Sequence, residues 1–125
     1  MYFLDTYAMI EYVKGGRIAI ELINNNKFCT SDFQLMELYY CVLREDSEQS
    51  AETYYGAFSA HKISIPEQTL KNAMKTRLEF QKKGKNVSYV DAIGYQYAIE
   101  NEMKFVTGDL CFRNFDERHV FYLGK

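Results

Sequence analysis

The sequence predicts an α/β fold in which helices cover both faces of a parallel sheet. Short apolar segments with strand character alternate along the chain with longer segments of helical character, an order that is typical of such folds. The strand segments are apolar throughout, as expected for strands that are buried on both faces. The chain has 125 residues, of which 47% are hydrophobic. We therefore expect a single domain over residues 1–125 with a substantial core.

Each predicted element rests on a local signal. Short apolar runs predict five strands, over residues 1–5, 27–30, 61–65, 104–107 and 120–123. Longer segments with helix starts and stops predict six helices, over residues 7–13, 18–25, 31–44, 47–58, 66–83 and 88–101. Two of these helices open with the spacing of a capping box, Ser31 with Gln34 and Ser88 with Asp91. Gly15 and Gly84 stand where helices end.

The composition argues against several kinds of site. Three scattered cysteines and two histidines, without a C-x-x-C pair, argue against a disulfide scaffold and against a zinc centre. No apolar run approaches the ~20 residues that cross a bilayer. The N-terminal segment lacks the basic start of a signal peptide, so we expect a cytoplasmic protein with no membrane partner.

The charge distribution is mixed. A net charge of −2 counts against nucleic acid as a partner. Basic residues nevertheless crowd between Lys71 and Lys85. We interpret this stretch as a solvated helix face, with the guiding of an RNA backbone as the alternative.

Two acidic residues stand at strand ends. Asp5 ends the first strand, and Asp109 follows the fourth strand after Gly108. In open α/β sheets the ligand site lies beyond the carboxyl ends of the strands, so these acids share a site if strands one and four are neighbours. We expect Gly108 to adopt a backbone conformation open to glycine that brings the chain close to this site.

Two further acids lie on helices that are apolar on most faces. Glu37 and Asp91 are both in such helices, and a buried carboxylate is costly unless it is paired or binds a metal. Gly94 and Ala98 follow Asp91 along one stripe, so another element can pack close to it. Each acid also has a plainer interpretation: helix cap for Asp5, solvated charge for Glu37, capping-box acid for Asp91 and turn residue for Asp109.

Four converging carboxylates would repel one another and raise one another's pKa values. Hard divalent cations relieve this repulsion, and Mg²⁺ binds a few carboxylates together with water and phosphate oxygens. Such a site suits phosphodiester hydrolysis, because one metal activates a water and a second can steady the leaving 3′ oxygen.

The chain resembles the PIN domain family in the segments MYFLDT, LMEL, SYVDAIGYQYA and FVTGDLCFRNF. The resemblance implies a three-layer α/β/α sandwich whose five-stranded parallel sheet has the order 3-2-1-4-5. It also implies a Mg²⁺- or Mn²⁺-dependent endoribonuclease, frequent homodimers and an antitoxin whose tail blocks the site, as in VapBC toxin–antitoxin pairs. By position, the family's acidic quartet corresponds to Asp5, Glu37, Asp91 and Asp109. Its accompanying polar residues correspond to Thr6 and Thr107.

Two residues after Asp109 and several alternative functions complete the sequence predictions. Arg113 and Asn114 follow Asp109 and are candidates for contact with a substrate phosphate. The alternatives to a toxin are an RNA-processing nuclease without an antitoxin and a non-catalytic PIN-fold binding module. A signalling receiver domain would need an acidic pair after strand one, where Thr6 follows Asp5. An aspartyl phosphatase would need an aspartate where Tyr7 stands.

Overall fold

The computed structural model describes residues 1–124 and contains one five-stranded sheet flanked by six helices. The strands are β1 (Tyr2–Leu4), β2 (Phe28–Ser31), β3 (Lys62–Ile63), β4 (Lys104–Thr107) and β5 (Val120–Tyr122). The helices are α1 (Thr6–Val13), α2 (Arg17–Asn25), α3 (Asp32–Glu45), α4 (Glu48–Ser59), α5 (Glu67–Lys82) and α6 (Tyr89–Glu100). A short 3₁₀ helix, Leu110–Phe112, follows β4.

The sheet is parallel throughout and has the order β3-β2-β1-β4-β5, which confirms the expected topology. β1 therefore lies at the centre, paired with β2 on one side and β4 on the other. Leu4 is in register with Val106, and the Asp5 backbone N–H donates to the Val106 carbonyl at 3.1 Å. The carboxyl ends of β1 and β4 consequently meet at one edge of the sheet.

Two apolar cores, one on each face of the sheet, make this a three-layer fold. Successive strand side chains point to opposite faces, so Phe3 and Phe105 enter one core while Leu4 and Val106 enter the other. The core around Leu4 includes residues of α1 to α4, and the core around Phe3 includes residues of α5, α6 and the 3₁₀ helix. Both faces are thus covered by helices, as the apolar strands predict.

Helix ends follow the sequence signals closely. Gly15 and Gly84 adopt positive φ angles of 83° and 79° just beyond α1 and α5, a conformation that glycine adopts without a steric penalty. β3 is shorter than the predicted segment 61–65. None of the helices in residues 1–124 combines the length and apolar character needed to span a membrane.

Helix α6 approaches the sheet unusually closely at Gly94. A Cβ at this position would lie 2.8 Å from ring carbons of both Phe3 and Phe105, and 2.7 Å from the Gln34 amide nitrogen. This explains why a glycine stands inside a helix, where it costs about 1 kcal/mol relative to alanine. The close approach brings the start of α6, and with it Asp91, over the carboxyl ends of β1 and β4.

Candidate active site

Asp5 stands at the junction of β1 and α1 and is almost completely buried. Its Oδ1 accepts a hydrogen bond from the Ala8 backbone N–H at 2.8 Å, so it is the N-cap of α1. The interpretation of Asp5 as a helix cap is therefore correct, but it does not describe the whole role of the side chain. The cap occupies one carboxyl oxygen, and the side chain also interacts with acids from other elements.

Asp109 has the same kind of local role after β4. Its Oδ1 accepts from the Cys111 backbone N–H at 2.9 Å and caps the 3₁₀ helix. Its own backbone N–H donates to the Thr107 hydroxyl at 3.1 Å, which fixes the turn. Since β1 and β4 are neighbours, this turn lies beside Asp5, as the sequence argument required.

Asp91 lies in the first turn of α6, against Asp109. The Asp91 backbone N–H donates to the Ser88 hydroxyl at 3.1 Å, which is the expected helix cap. Burial raises the pKa of the Asp91 carboxyl, and a hydrogen bond with Asp109 raises it further. The negative charges of Asp5 and Glu37 act in the same direction. Asp91 therefore lies near enough to acids of three other segments for their charges to raise its pKa.

The Asp5 carboxyl is also strongly perturbed. Burial raises its pKa to about 7 from an ordinary value of 3.8. The Thr107 hydroxyl and the Ala8 backbone N–H lower it in part, while Asp109 and Glu37 raise it. A carboxyl that retains its proton to near neutrality is a group for which an added cation is favourable.

Glu37 corrects one sequence expectation. We expected its helix to be buried on most faces, but Glu37 is exposed and neighbouring Met36 and Tyr40 are 67% and 60% exposed. α3 buries a single face, which includes Leu35 and Leu38. The pKa of Glu37 is nevertheless raised by partial burial of its carboxyl. Glu37 thus reaches the acidic site from the solvent side, which its apolar neighbours in sequence did not indicate.

The acids do not form a closed set of metal ligands. Within residues 1–124, no three Asp, Glu, His or Cys side chains are already close enough to form a set of metal ligands. Oxygen ligands nevertheless suit Mg²⁺, which keeps several waters and commonly binds only one or two carboxylates of a protein. The chemistry of these carboxylate oxygens therefore suits a divalent cation that keeps most of its water.

Two buried threonines lie beneath the acids. The Thr6 hydroxyl donates to the Gln34 carbonyl at 3.0 Å, which ties the start of α1 to α3. Thr107 is fully buried and interacts with both Asp5 and Asp109. The two hydroxyls that the resemblance indicated thus hold the backbone around the acids.

Sequence reasoning missed the wider role of Gln34. Its amide nitrogen donates to the Val90 carbonyl at 3.0 Å, and its amide oxygen accepts a hydrogen bond from the Ser31 hydroxyl. Gln34 therefore joins the start of α3 to the first turn of α6, which carries Asp91. The capping-box spacing identified the residue. Only the hydrogen bonds of its fully buried side chain show that it joins two helices.

Gly108 does bring the chain close to the site, for a different reason from the one expected. Its φ is not in the positive range that favours glycine. A Cβ at Gly108 would instead lie 2.1 Å from a ring carbon of Tyr7. The glycine is explained by the ring of Tyr7 packing directly against the turn between Thr107 and Asp109.

Arg113 and Asn114 lie apart from the four acids. Both are exposed and line a surface pocket of about 570 Å³ beside β5, together with Lys104 and Tyr122. None of the four acids lines this pocket. Contact of Arg113 or Asn114 with a phosphate remains a prediction.

These features define a class of protein: an all-parallel α/β fold with an acidic site at the carboxyl edge of its two central strands. The chain belongs to the PIN domain family, whose sequence model matches residues 2–118. The resemblance carried by the segments around the acids is thereby confirmed. No curated protein sequence matches the chain.

Solved structures with the same fold cover almost all of the chain. A Klebsiella pneumoniae toxin–antitoxin complex aligns over 100% of both chains, with 18% identity and a TM-score of 0.76. DNA-bound VapBC from Salmonella typhimurium aligns over 97% of this chain and 96% of its own, with 20% identity and a TM-score of 0.77. The Mycobacterium tuberculosis toxin VapC20, described as cleaving the sarcin–ricin loop, aligns over 94% and 98%, with 15% identity and a TM-score of 0.76. At these identities the likeness establishes the fold.

Proposed function

We propose that the chain is a Mg²⁺- or Mn²⁺-dependent endoribonuclease that hydrolyses RNA phosphodiester bonds at Asp5, Glu37, Asp91 and Asp109. The observation that carries the proposal is that acids from distant segments lie close enough for burial and neighbouring charges to raise the pKa values of Asp5 and Asp91. Acids that repel one another when no cation is bound are expected where a cation and a phosphate bind together. Membership of the PIN family supports the nuclease assignment.

The protein's own groups have distinct parts in this chemistry. A bound divalent cation would polarise the scissile phosphate and lower the pKa of an attacking water. Asp5 and Asp109 each use one oxygen to cap a turn, which holds the carboxyl rigidly and orients it. Burial raises the pKa of the Asp91 carboxyl to about 8, so a bound cation would favour its ionised form. Thr107 keeps both neighbouring acids in place.

We further propose that the nuclease is the toxin of a VapBC-type pair, is cytoplasmic, acts as a homodimer and is blocked by an antitoxin. Structures described as toxin–antitoxin complexes share the fold over nearly the whole chain, which supports such a partner. Expression of the native chain should arrest bacterial growth, whereas expression of Asp91→Asn at an equal level should not. Equal growth with both proteins would contradict the toxin assignment.

The chemical proposal is tested by cleavage of a single-stranded RNA with Mg²⁺ or Mn²⁺. Asp91→Asn should reduce the rate by at least about a hundredfold, since it removes a charge that acts on the reacting groups. Asp46→Asn is the matched control, because Asp46 is an exposed aspartate at the far end of α3. Native rates in Asp91→Asn, or rates that are unaffected by chelation of the metal, would refute the proposal.

A further inference from the structure

An exposed aromatic ring stands at the rim of the candidate active site. Tyr89 is the first residue of α6, two positions before Asp91, and is 59% exposed. The Arg77 guanidinium lies over its ring, with Cζ 4.1 Å from the ring centroid. Neither residue belongs to the two apolar cores of residues 1–124. Core packing therefore does not account for a tyrosine here.

The guanidinium beneath this ring is held in place. Arg77 lies on α5, and its Nε donates to the Val87 carbonyl at 2.9 Å, in the segment that leads into α6. This bond fixes the plane of the guanidinium against one face of Tyr89. Since the residue is largely exposed while Arg77 covers one ring face, the opposite face is open to solvent.

A second cation joins this rim to the segment after Asp109. The Lys85 Nζ donates to the Cys111 carbonyl at 3.1 Å and lies 4.9 Å from the centroid of the Phe115 ring. Cys111 belongs to the 3₁₀ helix that Asp109 caps. An ammonium has three donor hydrogens, so Lys85 can bind a further acceptor. Arg77 and Lys85 thus contact the segment that leads into α6 and the 3₁₀ helix that follows Asp109.

Two other lysines of the basic stretch are paired with acids. Lys71 and Lys82 pair with glutamates of their own helix, at 3.6 and 3.5 Å. Arg77 and Lys85 form no ion pair with an acid of residues 1–124. In a chain with a net charge of −2, these two cations are placed to offset the repulsion between the acidic site and an incoming phosphate chain.

We propose that Tyr89, backed by Arg77 and flanked by Lys85, is a stacking platform for a base of single-stranded RNA whose phosphodiester enters the acidic site. The inference rests on the proposed function. Bases stack on exposed aromatic rings with little sequence preference, and an adjacent arginine strengthens the contact. The Cα atoms of Tyr89 and Asp91 are ~5.4 Å apart by helix geometry. Side chains at these two positions point to different faces of the helix, so the platform holds a base beside the bond to be cut and not the nucleotide at the acids.

The test measures binding of a fluorescein-labelled single-stranded RNA of about 12 nucleotides to the full chain, with Asp91→Asn as background so that the RNA stays intact. Adding Tyr89→Ala should raise Kd about tenfold, whereas Tyr89→Phe, which keeps the ring, should stay within about twofold. Lys85→Gln should lower the salt dependence of log Kd by about 0.7. Thermal unfolding checks that each variant folds.

Tyr40 provides a matched control on α3. It is 60% exposed, and Arg44 lies over its ring at 5.2 Å. Tyr40 lies one turn after Glu37 on α3, and it is not on the segment that carries Lys85, Tyr89 and Asp91. Tyr40→Ala should therefore leave Kd for the RNA unchanged. Equal losses in Tyr40→Ala and Tyr89→Ala, or no loss in Tyr89→Ala, would overturn the platform.

Parallel cleavage assays separate this inference from the function beneath it. In one outcome the native chain cuts the RNA, Asp91→Asn does not, and Tyr89→Ala changes neither Kd nor the cleavage rate. This outcome would support the nuclease proposal and refute the stacking platform. That outcome is also the one expected if Tyr89 were a contact for a protein partner. If the native chain neither binds nor cuts RNA, both proposals fall together.

Discussion

Replacing Asp5 with asparagine should make the metal-free protein more stable while removing most of its response to Mg²⁺. Asparagine is also a good N-cap, and its Oδ1 can still accept from the Ala8 backbone N–H. The substitution therefore keeps the local fold of α1 and removes the buried charge. If Asp5 had no part in metal binding, Asp5→Asn would leave the response to Mg²⁺ unchanged.

The expected size follows from the raised pKa of Asp5. With a value of about 7 in the folded protein against 3.8 ordinarily, the ionised carboxylate costs ~4 kcal/mol at pH 8. Relaxation and water entry reduce such penalties, so we expect a gain of ~2–4 kcal/mol for Asp5→Asn. The unfolded chain loses this proton near pH 4 and the folded chain near pH 7. The advantage of the variant is therefore small near pH 4, grows as the pH rises and levels off above pH 7.

The assay is urea unfolding at pH 5 and pH 8, each with and without Mg²⁺. The native chain should gain about 2–3 kcal/mol when Mg²⁺ is present at about a hundred times its Kd, and Asp5→Asn should gain much less. Asp46→Asn, at an exposed position, should remain within about 0.5 kcal/mol of the native chain throughout. A variant that is less stable at pH 8, or one that gains as much as the native chain from Mg²⁺, would refute the reasoning.

Two further predictions concern the placement of α6. Gly94→Ala should destabilise the fold by ~1–2 kcal/mol in urea unfolding, because its methyl group would overlap the rings of Phe3 and Phe105. Gly56→Ala, whose Cβ would meet no atom within 4 Å in the middle of α4, should instead stabilise it by ~0.5–1 kcal/mol, and the same sign for both would contradict the packing argument. Gln34→Leu should cost ~1–3 kcal/mol and lower the rate of RNA cleavage at temperatures where it remains folded; a native rate there would show that Gln34 does not position Asp91.

Much of the fold could be predicted because its signals are local. All five strands and six helices occur in the predicted order, and glycines such as Gly15 and Gly84 end helices through their positive φ angles. The strand order depended on the family resemblance, since alternation of strands and helices does not specify which strands are neighbours. The 3₁₀ helix after Asp109 was missed because three residues are too few to show a periodic pattern.

The candidate site was predictable where acids adjoin strand ends and less so on helices. Asp5 and Asp109 follow from topology alone once β1 and β4 are neighbours. Glu37 was chosen on the argument that apolar neighbours imply burial, yet the side chain of Met36 beside it is exposed. Apolar composition around a helix therefore did not reveal which face is buried. The hydrogen bonds of Gln34 depend on tertiary contacts that no local pattern contains.

The central position of β1 bears on when the candidate site is assembled during synthesis. The first strand pairs with β4, near the other end of the chain, and its acid meets its partner only through that pairing. A ribosome-bound or truncated chain that stops before β4 has an incomplete sheet and lacks Asp109. Long-range parallel pairing is also among the slower events in folding. Partial chains therefore carry Asp5 without Asp109, and the candidate site is complete only after β4 has been synthesised and has paired with β1.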